Sequence, residues 1–192
     1  STLCKYLIEK YDVVHLDADK EIHALYAPGT EGHDRVVEIF GIEILNAEGV
    51  IDRKILGQKV FGKAESMAAL REAIGDIPTH FKNLLMNKYR KYPSEKTIIF
   101  EAVNLFESDY MRHIDVGWLV VTKPDIAIQR LATRNQLSVS EAKLRLGDAK
   151  DWKKSRIDAD HVFHNDSTIA AFLRAVDIIF TEIHQAYHEG IL

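Results

Sequence analysis

The sequence predicts an α/β fold: a three-layer structure with a parallel sheet core, a helical insertion and an arginine-bearing helical segment. Three observations carry that expectation. Short apolar runs rich in β-branched residues recur along the chain, longer helical patterns separate them, and the chain closes on an amphipathic helix. Strands buried on both faces of a parallel sheet are written as such runs, and the helices between them supply the crossovers.

Ser1 to Lys10 reads as a helix, with Leu3, Tyr6 and Leu7 on one side, ending at Lys10-Tyr11-Asp12. The first strand is expected over Val13–Leu16, the second over Thr97–Ala102, the third over Trp118–Val121 and a shorter fourth over His161–His164. The stretch between the first two is too long for one crossover helix and reads as a helical insertion. Its apolar positions run through Val36, Val37, Ile39 and Phe40, then Leu56, Val60, Phe61, Met67 and Leu70. Breaks fall at Ala27–Thr30, Ala47–Gly49, Gly75–Pro78 and Tyr92–Ser94. This divides the chain into a core of residues 1–26 and 94–192, whose arginines concentrate over about 130–158, and an insertion over 27–93. After Lys123-Pro124-Asp125 comes a helix with Ile126, Ile128 and Leu131; Ser138–Leu146 begins with capping residues, and Thr168–Tyr187 is amphipathic.

With 192 residues, 46% of them hydrophobic, the chain can bury a core of its own. A net charge of -4 argues against a general nucleic-acid coat, so any anion site is a local cluster. Cys4 is the only cysteine, which excludes an internal disulfide and a cysteine metal cage and suits a reducing cytoplasm. No apolar run reaches the roughly 20 residues that a membrane span needs.

Leu16-Asp17-Ala18-Asp19 is the most informative segment. At the carboxyl edge of a parallel sheet, two acids can take a proton from an attacking hydroxyl or hold a metal through water. In a continuing strand Asp17 and Asp19 would face the same side. As acids ahead of a helix they can equally be caps. Arg130, Arg134, Arg145 and Arg156 follow the third strand, and the first two, at i and i+4, share a helical face that suits a polyphosphate or a solvated surface. Arg53 lies in the insertion and joins them only if that insertion folds over the site. Ser1 and Thr2 open the first helix, as a phosphate-loop hydroxyl does and as a simple cap also does. None of the nine histidines completes an HExxH motif, and His161 and His164 read as surface or packing residues.

Asp17-Ala18-Asp19, Phe40-Gly41, Glu48-Gly49-Val50-Ile51-Asp52-Arg53, Leu56-Gly57 and Val60-Phe61 occur in an order that resembles the dephospho-CoA kinase family. Val103-Asn104-Leu105-Phe106-Glu107, the run from Gln129-Arg130-Leu131 to Arg134-Asn135, Ser140-Glu141-Ala142 with Arg145, and Ala159-Asp160-His161-Val162-Phe163-His164-Asn165 extend the resemblance over nearly the whole chain. It departs at Gly75-Asp76, where the family has His-Pro, at His23 and Ala149 and Ser155, and at Val103, where the family has proline.

The resemblance implies a P-loop kinase whose insertion binds CoA precursors and whose lid carries arginines. It implies ATP and Mg²⁺ as cofactors and dephospho-CoA as the small-molecule partner. By position, Asp19 would be the general base, Asp17 its support or a metal contact, and Arg130 and Arg134 catalytic charges. Ser1 would meet Mg²⁺; Ser1, Thr2, Arg145 and Asn165 would contact nucleotide; Arg53 and Glu107 would contact the acceptor. A strand and a glycine-rich phosphate loop are expected upstream of Ser1, because the first helix otherwise follows no strand. A nucleoside monophosphate kinase-like enzyme and a catalytically inactive nucleotide-binding module are the alternatives.

Overall fold

All four strands form on the apolar runs, as two parallel pairs. In a computed structural model, described over residues 1–92, 96–103, 105–147 and 158–190, β1 (Val14–Asp17) pairs with β2 (Ile98–Glu101) and β3 (Trp118–Val121) with β4 (His161–His164). The chain divides into two compact units, a central one of Val13–Val103 and a terminal one of Ser1–Asp12 with Asn104–Leu192.

In the central unit the crossover from β1 to β2 contains α2 (Ala18–Leu25), α3 (Glu31–Phe40), α4 (Arg53–Val60), α5 (Ala64–Ile74) and α6 (Ile77–Lys91). Local chemistry sets their limits. Thr30 caps α3 by accepting the His33 N–H, Asp52 caps α4 by accepting from Lys54 and Ile55, and Asp76 caps α6 by accepting from Thr79. Each such cap satisfies a backbone donor that the helix leaves open, worth about 1 kcal/mol. Gly75-Asp76-Ile77-Pro78 is therefore one helix stop followed at once by a helix start, with proline in the first turn, where its missing N–H costs nothing. Gly32 lets α3 approach the end of α2: a Cβ there would lie 2.3 Å from the Leu25 carbonyl oxygen.

Val36, Phe40, Ile44, Ile51, Leu56 and Val60 form the core of the insertion, joined by Tyr26 and Ala73. The apolar pattern thus faces inward as its spacing requires. Phe61 and Ile39 are the exceptions. Because α4 ends at Val60, Phe61 is turned out and is 83% exposed, and Ile39 is also exposed.

The terminal unit contains α1 (Thr2–Tyr11), the crossover helices α7 (Pro124–Asn135) and α8 (Val139–Leu146), and the closing helix α9 (Ile169–His188). A full capping box between Ser138 and Glu141 starts α8, as its sequence suggests. Trp118 of β3 packs on Phe163 of β4, and Phe163 packs edge-on to Phe172 of α9. Polar contacts add a second tie. Tyr6, Lys10 and Tyr11 of α1 all donate to the carboxylate of Asp177 on α9, at 2.6, 2.6 and 2.8 Å. These donors, Lys10 above all, hold the Asp177 carboxyl down at about 2. Among the described residues, no helix is long and apolar enough to cross a membrane.

Candidate active site

In the central unit the carboxyl end of the β1–β2 pair is acidic. The parallel register sets Asp17 beside Glu101, so each strand ends in a carboxylate. The three acids at this end differ in what holds them. Glu101 is bound by His15, whose Nε2 lies 2.9 Å from Oε2. Asp17 is the last residue of β1 and also the N-cap of α2, its Oδ1 accepting the Lys20 N–H at 3.2 Å. Asp19 is exposed in the first turn of α2 and makes no hydrogen bond or ion pair with any described residue.

Of the two readings of Asp17-Ala18-Asp19, a continuing strand and the start of a helix, the helix forms. Capping by Asp17 converts the chain to helix at Ala18, so Asp17 and Asp19 belong to different elements and do not alternate as strand neighbours. The capping and chemical readings of this segment consequently separate by residue. Asp17 is the cap; Asp19 makes no hydrogen bond or ion pair among the described residues and adds only its charge to the first turn of α2.

His23 stands four residues beyond Asp19, on the same face of α2. Arg53, the first residue of α4, reaches it with Nη1 2.9 Å from the His23 Nδ1. Burial, and then the Arg53 charge, lower the His23 pKa, while Asp19 and Asp17 oppose the shift. Burial raises the Tyr26 hydroxyl, and the Tyr26 ring stands edge-on to His23 at 5.7 Å. The insertion thus does bring Arg53 to the end of α2 that follows the acids.

In the terminal unit, Ser1 caps α1, its Oγ accepting the Cys4 N–H at 3.3 Å, and Thr2 is the first helical residue. The carboxyl ends of β3 and β4 are laced together. The Asn165 N–H donates to the Val121 carbonyl at 2.8 Å, Thr122 Oγ1 donates to the Asn165 carbonyl, and the Lys123 N–H donates to Asp166 at 2.7 Å. Arg130 closes this lacing, with Nη1 2.7 Å from the Asn165 carbonyl and Nη2 3.4 Å from that of Ser167. Arg134, one turn on, donates from Nε to the side chain of its neighbour Asn135 at 3.0 Å. Arg145 is exposed in the last turn of α8, and Glu107 is exposed at the end of a short 3-10 turn, Leu105–Glu107. Arg156, Ala149, Ser155 and most of the C-terminal part of the expected lid lie outside the described residues.

Asp17, Asp19 and Arg53 thus belong to the central unit, and Ser1, Thr2, Arg130, Arg134, Arg145, Asn165 and Glu107 to the terminal one, where Arg130 and Asn165 are in direct contact. Sequence reasoning missed His15, Glu101 and the bond from Arg53 to His23. Ile98-Ile99-Phe100-Glu101 did carry a signal, since it repeats the pattern of an apolar strand ending in an acid seen at Leu16-Asp17.

A parallel α/β fold with this chain order is that of the P-loop kinases. A solved dephospho-CoA kinase from Campylobacter jejuni superposes with a TM-score of 0.69 at 22% identity, covering 97% of this chain and 92% of that one. A solved structure from Thermus thermophilus superposes with a TM-score of 0.67 at 23% identity, covering 93% and 89%. At the level of sequence, the profile of the dephospho-CoA kinase family matches residues 1–171. The Staphylococcus haemolyticus dephospho-CoA kinase is 34% identical over 152 residues, 78% of this chain and 73% of its own. That of Streptococcus mutans is 29% identical over 179 residues, 92% and 88% of the two chains. The chain belongs to the dephospho-CoA kinase family.

Proposed function

We propose that the protein transfers the γ-phosphoryl group of ATP to the ribose 3′-hydroxyl of dephospho-CoA, giving CoA and ADP. Membership of the family supports the reaction, and the exposed carboxylate of Asp19, which makes no hydrogen bond or ion pair among the described residues, is the observation that supports the mechanism. In that mechanism Asp19 accepts the proton of the 3′-hydroxyl as its oxygen bonds to the γ-phosphorus, while the bond from phosphorus to the bridging oxygen of ADP breaks. Asp17 keeps its place at the cap and so fixes where α2, and with it Asp19, begins.

Phosphoryl transfer asks a protein mainly for positioning and for neutralisation of spreading charge. Arg130, Arg134 and Arg145 supply positive charge to the phosphates, and Asn165 contacts the nucleotide. Arg53 and Glu107 serve the acceptor. The hydroxyl of Ser1, with Thr2 beside it, offers the hard oxygen donor that Mg²⁺ takes, and bound Mg²⁺ supplies charge neutralisation on the phosphates.

The test is an acceptor panel. The full-length protein, ATP and Mg²⁺ are incubated with dephospho-CoA, adenosine or a nucleoside monophosphate, and products are identified by chromatography and mass. Only dephospho-CoA is expected to be consumed, with CoA as product. Equal turnover of a nucleoside monophosphate would contradict the reading.

A further inference from the structure

Arg53 is held at two ends by different elements. Its backbone starts α4, where Asp52 accepts the N–H groups of Lys54 and Ile55 at 2.8 and 3.2 Å. The Asp52 N–H in turn donates to the Ile44 carbonyl at 2.7 Å, and Leu45 bridges to Ile51, so the start of α4 is tied to a buried frame. Its guanidinium is caught by His23 of α2. A long cationic side chain left in water samples many rotamers; one hydrogen bond to a half-buried ring removes most of that freedom before any ligand arrives.

An arginine has only donors, so the ring nitrogen it meets must present a lone pair. Nη1 lies 2.9 Å from His23 Nδ1 and 3.4 Å from Nε2, so the ring nitrogen that carries the lone pair accepts from it, and a ring with a lone pair to offer is neutral. The buried Tyr26, edge-on to the ring, fixes its plane. The Asp19 carboxylate lies one helical turn before His23 on the same face of α2.

We infer that His23 is a positioning residue for the acceptor substrate: as a neutral acceptor it holds Arg53 in the pose that meets a phosphate oxygen of dephospho-CoA, in fixed relation to Asp19. This rests on the acceptor role given to Arg53 above. His23 touches neither substrate nor the reacting atoms, and acts through Arg53 alone.

The experiment compares His23→Ala, His23→Asn and His23→Lys in the full-length protein. Steady-state kinetics are measured with dephospho-CoA varied at saturating ATP, and thermal stability is measured alongside. An Asn side-chain oxygen falls near the site of Nδ1 and accepts from Arg53; Ala offers nothing, and Lys adds a like charge. Losing a preordered side chain is expected to raise KM for dephospho-CoA about three- to tenfold in His23→Ala, with kcat little changed, because binding common to ground and transition states is what is lost. His23→Asn is expected to return KM to within about twofold of wild type, and His23→Lys to raise it beyond the Ala value.

A wild-type KM in His23→Ala would overturn the inference. So would an equal defect in Ala and Asn, since that would make the imidazole a packing group. A wild-type protein that makes no CoA from dephospho-CoA at all would instead sink the proposed function.

Discussion

The two parallel strand pairs share an architecture and differ in what they place at their carboxyl ends. The β1–β2 pair ends in carboxylates, Asp17 and Glu101, with Asp19 one turn into the next helix. The β3–β4 pair ends in a lacing of hydroxyl, amide and carbonyl groups closed by Arg130. The fold therefore provides the same edge twice, and side-chain chemistry makes one edge suited to taking a proton and the other to meeting anions. The units also differ in how their helices are held. Apolar contact dominates the helical part of the central unit, whereas α1 and α9 of the terminal unit meet through a shared carboxylate as well.

The largest effect on stability is expected where apolar contact acts alone. Phe81 of α6 is 1% exposed and packs edge-on to Phe100 of β2, with ring centroids 5.4 Å apart. Phe81→Ala should destabilise the protein by about 3–5 kcal/mol in denaturant unfolding, from lost transfer energy and the cavity left behind. A change under 1 kcal/mol would mean that α6 is not anchored through this ring.

Next come the arginines, which differ in their duties. Arg130 holds two carbonyls besides any phosphate, while Arg134 bonds only its neighbour among the described residues. Removing either positive fork should slow turnover by about 10²-fold, the scale of one lost transition-state donor. Arg130→Ala should also lose about 1 kcal/mol of stability, and Arg134→Ala nearly none. Full activity in a folded Arg134→Ala variant would return that residue to the solvated face.

The smallest effect is a pH dependence at the α1–α9 contact. The Asp177 carboxyl sits at about 2 when folded, against an ordinary 3.8. A lowered acid contributes stability above its ordinary value and loses it as pH falls through the folded one. Asp177→Asn should therefore lower the Tm at neutral pH, and the gap from wild type should narrow as pH drops from 3.8 toward about 2. A gap that stays constant over that window would show that the ion pair with Lys10 does not set it.

Periodicity made the strands and helices legible because each is a local pattern that burial reads out. Trp118–Val121 and His161–His164 form as expected, and the closing helix, Ile169–His188, is displaced by one residue from the expected Thr168–Tyr187 because Thr168 serves as its cap. Asp17 and Asp19 were legible as a chemical segment, but their division of labour was not. It depends on one hydrogen bond from Lys20 that ends the strand. The bonds from His15 to Glu101, Arg53 to His23 and Arg130 to Asn165 join residues 86, 30 and 35 positions apart, and no local pattern encodes such meetings. Family resemblance named several of these residues without naming what holds them.

The central claim is that Asp17 caps and Asp19 reacts, and Asp19→Asn tests it most directly. Asparagine keeps the size of the side chain but cannot accept the ribose proton. In the full-length protein with ATP, Mg²⁺ and dephospho-CoA, CoA formation should fall by about 10²-fold or more. The Tm should change little, because Asp19 makes no hydrogen bond or ion pair with a described residue and only its charge in the first turn of α2 is lost. Near-normal CoA formation by Asp19→Asn would contradict the account and leave Asp17 as the carboxylate to test.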